Sequence, residues 1–232
     1  MSYLKQIELW GYAVVPNVID DDTRSALIAD LNQALIENDS KPRPGLRNLL
    51  SLSRRCRELS KSTSIRTLIE PILGPSAKVV RGIYFDKHRE ANWKVAWHQD
   101  LTIAVKQKIE IEGFGPWSQK GGITHVQPPA SVLEQMLAVR LHLDETDLTN
   151  GALRVVPGTH RLGRLSAEDI QAHLKGMKVD VCEVPKGGVM LMRPLLMHSS
   201  STSLLLHRRR VIHLEYCAAQ LPPGLEWDET VK

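Results

Sequence analysis

The sequence predicts a mainly β protein with flanking helices (α+β): a sandwich, jelly roll or barrel of strands behind a helical N-terminal layer. Three observations point to this class. Apolar residues in the first quarter of the chain recur at helical spacing. From Ala77 onward they gather instead into short Val-, Ile- and Leu-rich runs separated by turn signals. No helix of βαβ length separates most of those runs, which argues against a parallel nucleotide-binding sheet.

The elements follow in order. Asp20 to Asp22 can cap a helix whose Leu27, Ile28, Leu31 and Leu35 form one stripe. A second helix carries Ile65, Leu68, Ile69 and Ile72, with Pro71 and the Gly74-Pro75 pair ending or kinking it. Strands are predicted over 77–85, 94–103, 135–144, 153–156, 179–184, 188–192 and 209–217. A further helix is predicted over Ala167 to Leu174 behind a Ser166 cap. Residues 106–130 form a long Gly- and Pro-bearing connection, expected to act as a lid, with Phe114 and Trp117 available to fold over a site.

With 232 residues and 42% apolar content the chain can bury one large core. No Gly/Ser/Pro-rich linker divides it, so one domain over 1–232 is expected, with a helical part over about 1–75 and a strand core over about 77–217. A net charge of +4 mildly favours an anionic small-molecule ligand but lacks the basic stripe of a nucleic-acid binder. The HRRR run at 207–210 is the one dense cluster, readable as Arg209 pointing inward between two solvated arginines. Cys56, Cys182 and Cys217 are odd in number and unpaired in spacing, as expected for reduced core thiols of a cytoplasmic protein. The N-terminus has no signal-peptide core, and no run approaches the ~18 apolar residues of a membrane span, so no membrane partner is expected. The oligomeric state is not legible.

The chemistry starts with His-x-acid pairs. On a strand, residues i and i+2 share a face and can grip one ion. Nine histidines and 26 acidic residues in 232 give about one such pair by chance, whereas the chain has four: His88/Glu90, His98/Asp100, His142/Asp144 and His213/Glu215. A half-buried strand whose polar face meets water would explain each pair singly. The 209–216 strand sets Arg210, Ile212, Leu214 and Tyr216 on one face and Arg209, Val211, His213 and Glu215 on the other. The 137–144 strand repeats the pattern, with leucines and a valine opposing Arg140, His142 and Asp144. Such polar inner faces suit a cavity holding an anion and a metal better than a dry core.

The segments WHQDLT at 97–102, NGALRVVPGTHR at 150–161 and MHSSSTS followed by Arg209 resemble the phytanoyl-CoA dioxygenase family of Fe(II)/2-oxoglutarate-dependent oxygenases. The resemblance covers about 77–217, and it, rather than the spacing statistics, selects His98/Asp100 over His142/Asp144. It implies a double-stranded β-helix, a cupin-like jelly roll, with His98, Asp100 and His198 as a facial triad for Fe(II). The 2-oxoglutarate co-substrate and O₂ would fill the remaining positions, and the distal carboxylate of the keto acid would meet Arg209, assisted by Ser200. Arg140 stands where the family often carries an aromatic residue, so it could contact the keto acid or select an anionic primary substrate. The retained Asp100 favours hydroxylation over halogenation, with succinate and CO₂ released.

Other residues carry plainer expectations. His160 reads as a structural turn residue, and Trp93 and Trp97 as strand packing that could border the pocket. His213 and Glu215 could bond to each other, and Lys87, Lys94 and Lys120 read as surface lysines. Two alternatives remain open: a cupin-like metal-dependent hydrolase or isomerase, and a non-catalytic metabolite-binding barrel. The anion clamp at Arg209 argues against the first, the intact ligand set against the second.

Overall fold

The computed structural model describes residues 1–37, 46–204 and 207–229. In chain order the elements are α1 (Tyr3–Trp10), β1 (Tyr12–Val15), α2 (Asp21–Glu37), α3 (Leu49–Leu52), α4 (Arg54–Lys61), α5 (Thr63–Leu73), β2 (Lys78–Lys87), β3 (Val95–His98), β4 (Ile103–Val105), β5 (Trp117–Lys120), β6 (Ile123–Val126), α6 (Ala130–Leu133), β7 (Met136–His142), β8 (Leu153–Val155), α7 (Ala167–Leu174), β9 (Asp180–Cys182), β10 (Val189–Met192), β11 (His198–Ser200) and β12 (Arg209–Cys217). The predicted helices and strands are present, except that the strand expected over 94–103 is broken into β3 and β4, which join different sheets. Asp20 caps α2 by accepting from the Thr23 amide at 2.8 Å. Ser166 and Asp169 form a reciprocal capping box on α7. Pro71 lies inside α5, and the helix ends at Gly74.

All strand pairs are antiparallel. The major sheet runs β1-β10-β7-β12-β2, the minor sheet β3-β11-β8-β9, and a third sheet is β4-β6-β5. The sheets are open layers, as in a jelly roll: no strand of one sheet pairs with a strand of another among the described residues. The outer face of the major sheet meets the helices: Leu137, Val139, Ile212, Leu214 and Tyr216 pack with Leu27, Leu31, Leu59, Ile65 and Ile69. This is the expected alternation of β7 and β12, with the apolar face buried under the helical layer. Tyr216 adds a hydrogen bond from its hydroxyl to the Ser60 carbonyl at 2.7 Å.

Three expectations need correction. The 106–130 connection is largely an ordered hairpin, since β5 pairs with β6 and β6 with β4, and the half-buried Phe114 and Trp117 pack on the cluster of Val105, Val126 and Leu133. Lys87 is not a surface lysine; the strand predicted over 77–85 continues to residue 87, and its period of two turns Lys87 inward to full burial. The arginines flanking Arg209 are not simply solvated: Arg208 pairs with Asp86 and Arg210 with Asp144, the latter at 2.6 Å. Cys56, Cys182 and Cys217 are free and buried, and burial pushes the Cys56 thiol up to about 12. No helix among the described residues is long and apolar enough to cross a membrane.

Glu229 ties the chain's far end into this frame. Its carboxylate is buried and accepts from the Leu50 amide at 3.0 Å, the Ser51 amide at 3.4 Å and the Gly82 amide at 2.8 Å, which locks α3 against β2.

Candidate active site

The inner faces of the major and minor sheets enclose a cavity of about 480 Å³. The minor sheet supplies the three side chains of the candidate metal centre. His98 and His198 are directly opposed across the β3–β11 pair, with ring centroids 4.2 Å apart. Asp100 follows two residues after His98 and shares its face. His98 Nε2 lies 3.6 Å from Asp100 Oδ1 and His198 Nε2 lies 3.7 Å from Asp100 Oδ2. Those separations exceed a good hydrogen bond and leave a gap for a cation. One ligand atom from each of the three residues comes within 4.8 Å of the others.

The backbone fixes the imidazole tautomers. His98 Nδ1 faces the Ala96 carbonyl at 2.8 Å and His198 Nδ1 faces the Leu196 carbonyl at 2.9 Å. Each Nδ1 therefore carries the proton and donates it, so both Nε2 lone pairs point at the gap, the arrangement a metal needs. Burial, aided by His98, pushes His198 down to about 4 despite Asp100, which keeps it neutral. Burial would raise the Asp100 pKa, but the neighbouring His198 and His98 hold it well below the usual carboxylate range. This donor set fits a divalent metal.

Gln99 explains why the middle residue of the motif is an amide. Its side chain is buried on the opposite face, donating to the Gly163 and Leu195 carbonyls at 2.8 and 2.7 Å and accepting from the Leu165 amide at 2.8 Å. With the Asp100 amide bonded to the Pro194 carbonyl at 2.9 Å, the backbone cannot rotate, and residues 98 and 100 stay aimed into the cavity.

The major sheet supplies the cations. Arg209 and Lys87 are partners across the β12–β2 pair, both buried. Arg209 Nη1 and Ser200 Oγ both donate to the Gly151 carbonyl, the latter at 2.9 Å. Lys87 Nζ donates to Ser200 Oγ at 3.1 Å and to the Ser201 carbonyl at 2.6 Å. Gly151 serves this hub because it needs no side chain: its φ is +82°, and a Cβ there would sit 2.7 Å from the Ser201 carbonyl. Arg140 is buried beside them with Nη1 3.0 Å from His213 Nδ1 and its guanidinium 5.5 Å from the Phe85 ring. His213 in turn faces Glu215 at 3.3 Å, and Glu215 pairs with Arg81 at 3.1 Å. Burial, and next the other cations, pushes Arg209 down to about 9 and Lys87 to about 7, the mark of positive charge packed without an anion.

Every residue named from the sequence as a site candidate thus borders one cavity: His98, Asp100 and His198 on one wall, Arg209, Arg140 and Ser200 around the other. Trp93 borders it too, whereas Trp97 packs in a separate cluster under the Arg154 guanidinium. His142 and Asp144 do not form a site: His142 Nδ1 bonds Thr146 at 2.7 Å, and Asp144 turns outward to Arg210. His160 packs against Gly11, away from the cavity. Sequence reasoning missed Lys87 and Arg81, although the alternation of Arg81, Ile83, Phe85 and Lys87 along β2 is a readable inward face.

The sequence profile of the phytanoyl-CoA dioxygenase family matches residues 7–211. No curated protein sequence matches the chain. Among solved structures, the fold is shared with the epimerase SnoN in complex with Fe3+, alpha ketoglutarate and nogalamycin RO (18% identity, 96% of this chain and 86% of that chain, TM-score 0.73). It is also shared with the non-heme alpha ketoglutarate dependent carbocyclase SnoK from nogalamycin biosynthesis (14% identity, 94% and 83%, TM-score 0.73). HygX from Streptomyces hygroscopicus, with nickel and 2-oxoglutarate bound, is a third case (14% identity, 93% and 85%, TM-score 0.67). At these identities the likeness is one of fold, while the profile match spans most of the sequence. The chain belongs to the phytanoyl-CoA dioxygenase family of non-haem iron, 2-oxoglutarate-dependent enzymes.

Proposed function

We propose that the protein is an Fe(II)- and 2-oxoglutarate-dependent dioxygenase that hydroxylates a C–H bond of a small molecule, converting the keto acid and O₂ to succinate, CO₂ and the hydroxylated product. The observation that carries this is the convergence of two imidazole Nε2 atoms and one carboxylate on a cavity whose far wall holds a buried Arg209 with no carboxylate partner among the described residues. His98, Asp100 and His198 would hold the iron. Bound there, iron supplies the redox chemistry that couples decarboxylation of the keto acid to oxidation of the C–H bond.

The chain's own groups do the rest. Arg209 offers a planar fork to the distal carboxylate of the keto acid, and the Lys87 ammonium and Ser200 hydroxyl stand beside it. Arg140, held by His213 and the Phe85 ring, adds positive potential over the same end. Phe85, Trp93, Val95 and Leu153 give the cavity an apolar lining that limits water around the reacting carbon. A hydrolase or isomerase would have no use for three buried cations opposite its metal. The family's structural neighbours include an epimerase and a carbocyclase, so the fate of the substrate carbon is a further question within the same cofactor chemistry. Three buried free thiols support a reducing, cytoplasmic setting, and the absence of a linker supports one working domain.

The test is anaerobic addition of Fe(II) and 2-oxoglutarate, reading the weak visible charge-transfer band of the chelate. The wild type should show it, Asp100→Ala should not, and Arg209→Ala should need far more keto acid. No band in the wild type would overturn the proposal. Oxygen-18 from ¹⁸O₂ in the product then separates hydroxylation from the other outcomes.

A further inference from the structure

The cavity has a second cationic pole that the keto acid cannot use. Arg47, Arg81, Lys120, Arg140 and Arg209 line it, against the carboxylates of Asp100 and Glu215 alone among its described lining residues. An Fe(II) ion and a 2-oxoglutarate dianion cancel each other's formal charge, so binding both leaves that excess of positive charge in place. Arg209 marks the inner end, and Arg140, opposite His213 on the neighbouring strand, stands between the two ends. Arg47, Arg81 and Lys120 form the other group.

The two poles are well separated. Arg81 pairs with Glu215 in the β2–β12 ladder, and Lys87 pairs with Arg209 six residues along it. At about 3.3 Å per residue their backbones are roughly 20 Å apart. A five-carbon chain with bonds of about 1.5 Å spans only a quarter to a third of that distance. Lys120 is near enough to Asp100 of the triad to interact with its charge.

The outer group is built as an anion receptor. The Arg47 stem runs 3.6 Å from where a Cβ on Gly121 would lie, at the tip of the β5–β6 hairpin that also carries Lys120. Arg47 Nη1 is buried and has no hydrogen-bond partner among the described residues. Neither Arg47 nor Lys120 has an ion-pair partner among them, whereas Arg81 is held by Glu215 at 3.1 Å. Glu215 also acts on Arg47 and Lys120 at longer range, as Asp100 does on Lys120, and Asp228 lies by Arg81. Burial and the two neighbouring arginines lower the Lys120 pKa, as expected for cations gathered around an unfilled anion position.

We propose that Arg47, Arg81 and Lys120 bind a terminal oxyanion, carboxylate or phosphoryl, of the primary substrate and hold its remainder over the metal centre. This rests on the dioxygenase function proposed above. The substrate class is therefore an anionic small molecule, gripped at the end remote from the carbon that reacts.

The probes are methyl phosphate and acetate, titrated calorimetrically under anaerobic conditions at fixed ionic strength into protein saturated with Fe(II) and 2-oxoglutarate. Saturation occupies the inner clamp, so any further site is the outer one. One methyl phosphate or acetate should bind per chain, the tighter probe identifying the chemistry. The double variant Arg47→Gln/Lys120→Gln should weaken it at least tenfold while its charge-transfer band and midpoint for 2-oxoglutarate match the wild type. Equal binding by the variant, or no binding by a wild type that shows the band, overturns the inference and leaves the dioxygenase function standing. A wild type without the band overturns both.

Discussion

Lys87→Met tests the inner pole on two readouts of opposite sign. The ammonium is fully buried, bonded to Ser200 and the Ser201 carbonyl, and burial followed by Arg209 and Arg140 brings its pKa from 10.5 to about 7. A folded-state value below the unfolded one means that protonation burdens the folded state. The contribution to stability is fully present above the unfolded pKa, is lost as pH falls toward 7, and is gone below it. A fall of that size corresponds to roughly 4–5 kcal/mol at full protonation. About 2 kcal/mol of it should appear between pH 7 and 9. Urea unfolding of the metal-free, keto-acid-free protein should therefore show stability rising by about 2 kcal/mol over that interval. Lys87→Met, which keeps an unbranched apolar stem, should be the more stable protein at pH 7 and should lack the rise. The same variant should bind 2-oxoglutarate about tenfold more weakly, since one charge-assisted contact is lost. Parallel pH profiles for the two proteins, or a Met variant less stable than wild type at pH 7, would refute the account of a strained cationic end.

Four further outcomes follow. Arg209→Lys keeps the charge but loses the two-pronged contact, and should raise the apparent dissociation constant for 2-oxoglutarate about 10- to 100-fold with the metal affinity unchanged. Gly151→Ala should cost about 2–4 kcal/mol in denaturant unfolding, because its φ of +82° and the Ser201 carbonyl 2.7 Å from the new Cβ both oppose it. Glu229→Ala should cost about 2–4 kcal/mol by leaving the Leu50, Ser51 and Gly82 amides without an acceptor. Burial lowers the His98 pKa, but Asp100 outweighs it and the net shift is upward, so protons compete with a metal for this ligand. Affinity for Co(II), followed by its visible spectrum, should fall as pH drops, with release of a proton on binding.

β7 and β12 were legible because each sets an apolar face against a polar one, residue by residue, whereas β10 is apolar on both faces and β1, four residues long, was not foreseen. The helices α2 and α7 were legible through their caps. The metal triad was only half legible from the residues, since four His-x-acid pairs compete and nothing local says that His98 will face His198; motif resemblance made that selection. The hairpin within 106–130 was missed because β5 and β6 are only four residues each, and the polar exposed positions of β5 resemble loop sequence. Lys87 was misjudged for a related reason. A lysine at a strand end is ordinarily solvated, and only the cross-strand register with Arg209 reveals that this one is enclosed. Arg47 and Lys120 come from segments far apart in sequence, so their meeting at Gly121 is a product of tertiary structure that no local pattern encodes.

The two faces of β12 have an evolutionary corollary. Deleting or inserting one residue in its interior would reverse every side chain beyond that point, sending His213 and Glu215 into the hydrocarbon under the helices and Leu214 and Tyr216 into the cavity. Substitutions can tune the ligand-facing positions one at a time, but changes in length are barred from this strand and left to the connections. New specificities on this scaffold should therefore arise through altered loops and point changes around a strand of fixed phase.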